Sequence, residues 1–532
     1  MRVIDLYAGV GGWAVGFELA GLEIAESYEW WEPAAKTHRA NSSSTVSVMD
    51  IRKLEFEQLP QNIDVVIGSP PCTQFSYSNR GGSGDVADGL IDIEQFLKVV
   101  RHLKPKAWAF ENVPRVKRVL DQELTTGGVL EEYIDLFVDA KIEIFDMASY
   151  GIPQRRKRCI AGNFDFELLK SYSEVSAKPT LGEVVNALAE AKEPIYENCN
   201  IFDVFDNTPE EPLSWEEERF NRDMKEAHPI YNGMPFPDPL ERSSRTVTAT
   251  CTRVSRESLV ILDPQSGHYR RLSVRERASL QSFPVGFQFQ GKSHSEKLKM
   301  IGNAVPPGFT YLIAEAIKGT QANKLVLPGK LDANAQFREV ARLETTPDTA
   351  GRKYPDTRRF RFSIPNLHFK SGTRFEFSNV DGVDEWSVGF YFGDSKRIIR
   401  KQFQKTEVDT AIEGTQREFS AFAKATVKAV AKNLGRISIV ELQAAWTRQK
   451  DGVHPFEILD NIGEIAASGI EGAQAFEPDE LRNFVHLLLY GDKPLEKIAI
   501  LKVERYLAEI AVGALIAAAI NSLVLTQGKP LV

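Results

Sequence analysis

The chain is short of cysteine. Only Cys72, Cys159, Cys199 and Cys251 occur in 532 residues. They lie far apart and form neither a CxxC pair nor a zinc spacing, as expected of a protein in a reducing, cytoplasmic setting. Positive charge is not in excess: 65 Lys and Arg against 73 Asp and Glu leave a net charge of -8. The chain as a whole is therefore no polycation, and any nucleic-acid contact must come from local basic patches. A secretory leader is not expected either, since "MRVIDLYAG" reads as a strand. One stretch has the length of a membrane span, "LAEIAVGALIAAAINSLVL" at 507–525, yet it carries Glu509, Asn521 and many alanines. A charge in lipid is costly, so a buried C-terminal helix is expected and no membrane partner. Neither GxGxxG nor a phosphate-binding loop is found, and no internal repeat.

What is present has the composition of a globular protein, 42% hydrophobic and 26% charged, long enough for two or three domains. "RVIDLY", "IAESYEW", "IDVVIGSPP" and "KAWAFENV" read as strands, and helix-like runs such as "WAVGFELAGL" and "LIDIEQFLKVVRHL" separate them. Alternation of this kind predicts a parallel sheet with helices on both faces. From about 165 to 265 prolines and charges interrupt the pattern, and 319–336 reads as a linker. Beyond it, "RRFRFSIPNLHF", "TRFEFSNV" and "WSVGFYFG" alternate apolar and polar residues, which predicts antiparallel strands.

Two local patterns suggest chemistry. The turn "DLYAGVGG" at 5–12 lets a ligand approach the backbone at Gly9, Gly11 and Gly12. Glu29 ends the next strand and can accept from both hydroxyls of a ribose, Trp30 offers a flat face to an adenine, and Asp50 follows at the strand after that. In this order they suggest an adenosine site without a pyrophosphate. The second pattern is "GSPPCTQFS" at 68–76. Two prolines stiffen the backbone before Cys72, at the carboxyl end of an apolar strand, where ligands bind in such sheets. A thiolate on so rigid a mount can add to an electron-poor ring carbon.

With "DLYAGVGG", "YEWWEP", "GSPPCTQFS", "FENV", "GIPQRRKR", "RRLSVRERASLQSFP" and "IGNAVPP" in that order, residues 1 to about 318 resemble the DNA cytosine-5 methyltransferases. The resemblance implies a Rossmann-like α/β methyltransferase fold in 1–164 and 269–318, with a small irregular target-recognition region at 165–268. A separate mixed α+β domain of unassigned function follows at 337–532. It implies S-adenosylmethionine as cofactor, held by Tyr7, Ala8, Gly9, Gly11, Gly12, Glu29, Trp30, Asp50, Ile51, Pro70, Leu90, Asn303 and Val305, and no metal. It makes Cys72 the nucleophile toward carbon 6 of a cytosine flipped from the duplex. Glu111 would be protonated when it meets N3 and the exocyclic amine. Arg156 and Arg158 would lie near the base, with Arg158 the better candidate for its O2. The glycine-rich stretch at 73–90 resembles the family's loop that closes over the DNA. The expected partner is double-stranded DNA, with a cognate restriction endonuclease as a candidate. "ERSSRTVTATCTRVSRES" in the recognition region suits phosphates and base edges.

Four positions depart from the family pattern: Tyr7 for phenylalanine, Ser69 for glycine, Thr73 for glutamine, and Trp31 where an acid is frequent. None removes a catalytic group. The basic stretches "RKYPDTRRFRF" and "SKRIIRKQFQK" in 337–532 favour a DNA-contacting or scaffold role there. The alternatives are a bifunctional methylase-nuclease, a catalytically silent DNA-binding relative and an enzyme acting on RNA.

Overall fold

The computed structural model describes residues 1–75, 84–196, 204–226, 234–331, 342–369, 372–383, 385–394, 397–434, 438–491 and 503–526. These form two compact units, Met1–Glu218 with Phe236–Ala350, and Arg219–Pro235 with Gly351–Val532.

The first unit is built on seven strands: β1 (Arg2–Leu6), β2 (Glu23–Glu29), β3 (Thr45–Val48), β4 (Val65–Gly68), β5 (Ala107–Asn112), β6 (Lys141–Asp146) and β7 (Lys157–Gly162). Their order is β3-β2-β1-β4-β5-β7-β6. Strands β3 to β5 pair in parallel, while β7 runs antiparallel to both neighbours. The sheet is buried on both sides, so both alternating residue sets are apolar. Val3, Val65, Ile67 and Ala109 face one cluster with α1 (Gly12–Leu19), α5 (Phe166–Val175) and α10 (Pro307–Lys318). Ile4, Leu6, Val66 and Phe110 face the other, with α3 (Val86–Leu103) and α4 (Arg115–Glu123). Strand order reverses between β1 and β4, and a Rossmann-like sheet binds its ligand at the carboxyl ends beside such a reversal.

Three boundaries differ from the sequence reading. Helix α5 belongs to the central core, because Phe166, Leu169 and Tyr172 pack under the sheet. Residues 319–331 do not trail free: Ala322, Leu325 and Leu331 rest on the same cluster. Asp348 reaches back to Arg271, which carries the first unit to Ala350. Residues 219–235, expected in the recognition region, belong to the second unit, where Arg219 pairs with Asp460 at 2.7 Å and Phe220 packs on Phe362 and Trp446.

Between α5 and α10 the chain forms α6 (Leu181–Ala189), α7 (Trp215–Glu226), the two-stranded β8 (Val260–Leu262) and β9 (Tyr269–Arg271), α8 (Val274–Leu280) and α9 (His294–Asn303). Helix α2 (Glu32–Asn41) is stitched to the segment before α9, with Asn41 Nδ2 donating to the Gln288 carbonyl at 2.8 Å.

The second unit has an antiparallel meander, β10 (Arg361–His368), β11 (Arg374–Ser378), β12 (Ser387–Asp394) and β13 (Arg397–Gln402). Six helices accompany it among the described residues: α11 (Lys405–Glu413), α12 (Arg417–Leu434), α13 (Ile439–Trp446), α14 (Pro455–Ala473), α15 (Pro478–Tyr490) and α16 (Leu507–Thr526). Helix α16 is the only described helix with the length and apolar composition of a membrane span. It is buried against β12, α12, α14 and α15, as a helix that is apolar all round must be in a packed domain. Its one buried polar residue is satisfied: Asn521 accepts from Val388 N–H at 2.8 Å and donates to the carbonyls of Val388 and Phe403.

Candidate active site

Past Leu6 the backbone turns sharply into α1. Tyr7, Gly9 and Gly11 take positive φ, 56°, 55° and 94°. Glu29, at the end of β2, organises this turn: its two carboxylate oxygens accept from Gly9 N–H at 2.8 Å and Trp31 N–H at 2.7 Å. Each oxygen keeps acceptor capacity for a further donor. A Cβ on Gly11 would lie 2.7 Å from the His38 ring, and one on Gly12 would overlap the Val305 carbonyl oxygen, whereas Gly9 opens onto free space. The loop is thus closed from below and open above, a shape that fits a ligand lying across the backbone.

Trp30 stands 69% exposed beside Glu29. Asp50 lies two residues past β3, half-exposed, and caps the turn at Ile51 by accepting from Arg52 N–H at 3.1 Å. Ile51, Ala8, Pro70 and Leu90 are buried. Burial raises the Glu29 pKa, and the amides of Trp31 and Gly9 oppose it. Asp5 belongs to the sequence motif, which gave it no role. It is fully buried with neither carboxylate oxygen hydrogen-bonded, and burial and the Glu29 charge push its pKa well above the carboxylate range. The nearby Ala14 amide, outside hydrogen-bond geometry, offsets this only in part.

Tyr7 does more than replace phenylalanine. Its hydroxyl donates to the Asp92 carbonyl at 3.1 Å. Arg52 holds Asp92 at 2.7 Å and Asp88 at 3.0 Å, Gln74 Nε2 donates to Asp88 at 3.1 Å, and Asp85 N–H returns to Gln74 Oε1 at 3.0 Å. A continuous polar chain therefore joins the glycine turn to the residues just past Cys72. Of the loop expected to close over the DNA, residues 76–83, with Gly81 and Gly82, lie outside the described residues.

The mount of Cys72 is tied at several points. Asn112 Nδ2 donates to the Pro70 carbonyl at 3.0 Å, and the Trp13 indole donates to Ser69 Oγ at 2.9 Å, which gives the Ser69 departure a local use. Phe75, fully buried, returns its N–H to the Cys72 carbonyl at 3.0 Å and so closes a tight turn directly behind the thiol. Thr73 faces outward. Cys72 itself is half-buried. Burial and the Glu111 charge push the thiol pKa up, while Arg158 and Arg156 pull it down.

Glu111 lies at the end of β5, and Arg158 comes from the neighbouring β7. Arg158 Nε lies 2.8 Å from Glu111 Oε1 without the angle of a hydrogen bond, so the two form an ion contact. The Arg158 Nη1 donates to the Lys157 carbonyl at 2.8 Å. Arg156 lies near enough to Cys72 and Glu111 for their charges to bear on it. Its guanidinium is buried and donates to the carbonyls of Ala304 at 2.9 Å, Gly302 at 3.2 Å and Val247 at 3.3 Å. Burial lowers its pKa to about 9. Its hydrogen bonds hold the "IGNAVPP" turn, which presents Asn303 to solvent and lays the Val305 carbonyl over Gly12.

The arginines of "ERSSRTVTATCTRVSRES" are largely committed within the fold. Arg245 pairs with buried Asp238 at 2.6 Å, Arg253 with buried Glu217 at 2.9 Å, and Arg256 with Glu257 at 2.8 Å. Buried carboxylates require cations beside them, and the sequence pattern gave no sign of which acids these would be. Thr250 and Thr252 remain exposed on this stretch.

The family model for C-5 cytosine-specific DNA methylase matches residues 1–319. The chain is similar to the Type II methyltransferase M.FnuDI of Fusobacterium nucleatum, 28% identical over 350 residues that cover 61% of this chain and 96% of that protein. It is also similar to M.AplI of Arthrospira platensis, 30% identical over 327 residues that cover 60% and 87%. A solved structure of a prophage-encoded DNA modification methyltransferase from E. coli aligns with 60% of this chain and 99% of its own, at 20% identity and a TM-score of 0.46. The family match spans well over half of the sequence and contains the glycine turn, the cysteine mount and the Glu111–Arg158 pair, and the chain belongs to the C-5 cytosine-specific DNA methylase family.

Proposed function

We propose that the chain methylates carbon 5 of a cytosine flipped out of duplex DNA, at a specific sequence, through a covalent bond between Cys72 and carbon 6. The observation that carries this reading is the thiol itself. Cys72 sits half-buried on a doubly tied Pro-Pro mount, and its ionisation responds to Glu111, Arg158 and Arg156. An inert core cysteine needs none of these.

Bound S-adenosylmethionine supplies an electrophilic methyl group. Glu29 accepts from its ribose hydroxyls with the lone pairs that Gly9 and Trp31 leave free. Trp30 covers the adenine and Asp50 accepts from the adenine amino group, while the open side of Gly9 lets the ligand lie against the backbone. Val305 closes the turn from behind.

Carbon 5 of cytosine is a weak nucleophile. The Cys72 thiolate adds to carbon 6, and the displaced π electrons move into the ring. Glu111 delivers a proton to N3, which quenches the charge and leaves an enamine whose carbon 5 takes the methyl. Loss of the carbon 5 proton to solvent, expulsion of the thiolate and return of the N3 proton to the Glu111 carboxylate restore the neutral aromatic ring. Arg158 holds Glu111 in place and offers its remaining N–H groups to the base O2. Arg156 serves as a positioning residue for the Val305 turn. Curated relatives named Type II methyltransferases support a place in restriction-modification beside a cognate endonuclease.

DNA with 5-fluorocytosine in the target site tests the chemistry, because fluorine cannot leave as a cation. A stable protein–DNA adduct at Cys72 is expected. Methylation of ordinary DNA without any such adduct would overturn the covalent route.

A further inference from the structure

Several cations of the second unit, most of them from the basic stretches that first suggested DNA contact, are engaged elsewhere. Arg358 lies 3.5 Å over the Trp446 ring and donates to the Trp446 carbonyl. Arg361 and Arg374 share Glu376, and Arg400 is paired with Asp381. These cations are engaged within the fold.

Helix α12 is different. From 419 to 440 the sequence has no Asp or Glu, yet it has Lys424, Lys428, Lys432 and Arg436. The three lysines are exposed and four residues apart, so they stand in one row on the helix surface, with about 12 Å from first to last. No carboxylate lies within ion-pair distance of them among the described residues, and the exposed positions between them include Ala425 and Ala431. Other charged helices of this unit carry their own acids: Lys405 pairs with Asp409 at 3.3 Å on α11, and Arg482 pairs with Asp479 on α15. A solvated helix face is ordinarily mixed in charge. The imbalance is regional, since residues 351–450 carry 19 Lys and Arg against 11 Asp and Glu, and residues 451–532 carry 6 against 12.

We infer that the Lys424–Lys428–Lys432 row of α12 is a sequence-independent binding surface for the phosphate backbone of duplex DNA. The inference rests on the reading that this chain acts on DNA. A regular row of unpaired ammonium groups with short side chains between them lets a polyanion approach without meeting a carboxylate. Its contribution is electrostatic, through release of condensed counterions, so it adds affinity and salt dependence without adding sequence preference.

The full-length chain carrying K424Q/K428Q/K432Q is compared with wild type by fluorescence anisotropy on a non-specific duplex over a range of salt. The plot of log affinity against log salt should become shallower by about 2.7, roughly 0.9 for each lysine. Affinity at low salt should fall roughly tenfold or more. K405Q, which removes a lysine already paired with Asp409, should leave the slope as it was. The arginine triple K424R/K428R/K432R should keep the wild-type slope, which guards against a folding defect in the glutamine triple. Equal slopes for wild type and the glutamine triple, or a lost slope in the arginine triple, would overturn the inference. A wild-type chain that binds DNA with the expected slope but forms no 5-methylcytosine would remove the catalytic reading and leave this one standing.

Discussion

The two sheets of this protein place their polar residues in opposite ways. In the first unit both faces of the parallel sheet are covered by helices, and the residues proposed for the chemistry stand at strand ends: Glu29 at the end of β2, Cys72 past β4, Glu111 near the end of β5. In the second unit the antiparallel sheet turns Phe375, Phe377 and Phe390 to the core and sets Arg361, Glu376, Tyr391 and Arg400 on its other face. There Arg361 and Arg374 share Glu376, and Arg400 pairs with Asp381. A sheet wrapped on both sides concentrates function at its carboxyl edge, whereas a half-open sheet spreads charge across a surface and engages it in cross-strand contacts.

The largest effect expected from breaking the strand-end chemistry is at the thiol. Cys72→Ser should abolish methyl transfer while cofactor affinity stays close to wild type, because a hydroxyl is a far weaker nucleophile at neutral pH. Rapid methylation by the serine variant, followed by restriction-protection assay, would transfer the role elsewhere. In the second unit the counterpart is the core. Asn521→Leu strips three backbone groups of their partners. At about 1–3 kcal/mol for a buried group left unsatisfied, thermal unfolding of that unit should begin several degrees earlier. An unchanged melting profile would mean that the helix–strand bonds contribute nothing.

A smaller effect sharpens the account of the cofactor edge. Glu29→Ala and Trp30→Ala should each weaken S-adenosylmethionine binding roughly tenfold, about 1.4 kcal/mol, with DNA affinity little changed. Calorimetry giving wild-type cofactor affinity for both would place the adenosine elsewhere. The smallest concerns His38, packed beneath Gly11 with its pKa lowered by burial from 6.5 to about 3. A histidine kept neutral in the fold contributes stability that is fully present above pH 6.5 and is lost as pH falls toward 3. His38→Phe should therefore reduce the drop in melting temperature between neutral and acidic pH. Parallel pH profiles for variant and wild type would show that His38 does not drive this loss.

Much of the first unit was legible because its signals are local. Apolar runs separated by helical periods describe a covered parallel sheet, and the turn "DLYAGVGG" calls for glycine at Gly11, where positive φ coincides with the crowding of His38. The Pro-Pro-Cys mount was visible for the same reason. The position of Arg156 was not: a motif of four basic residues does not say which guanidinium turns inward onto carbonyls 146 and 148 residues later and which stays beside Glu111. The acidic partners of the arginines in the recognition stretch were hidden for a related reason, since Asp238 and Glu217 become buried only when the chain folds around them.

In the second unit the sequence announced antiparallel strands and a buried apolar helix, and the order of strands in the meander follows from their succession along the chain. Its membership did not follow. That Phe220 belongs beside Trp446, more than two hundred residues away, is settled by aromatic packing between segments no local pattern relates. The sequence by itself determined the family, the elements and the residue types at the strand ends, because backbone conformation and hydrophobic period are properties of neighbours along the chain. Only the tertiary structure decided which charges are neutralised and which remain free, as on the lysine row of α12, because an ion pair is made by proximity in space and not in sequence.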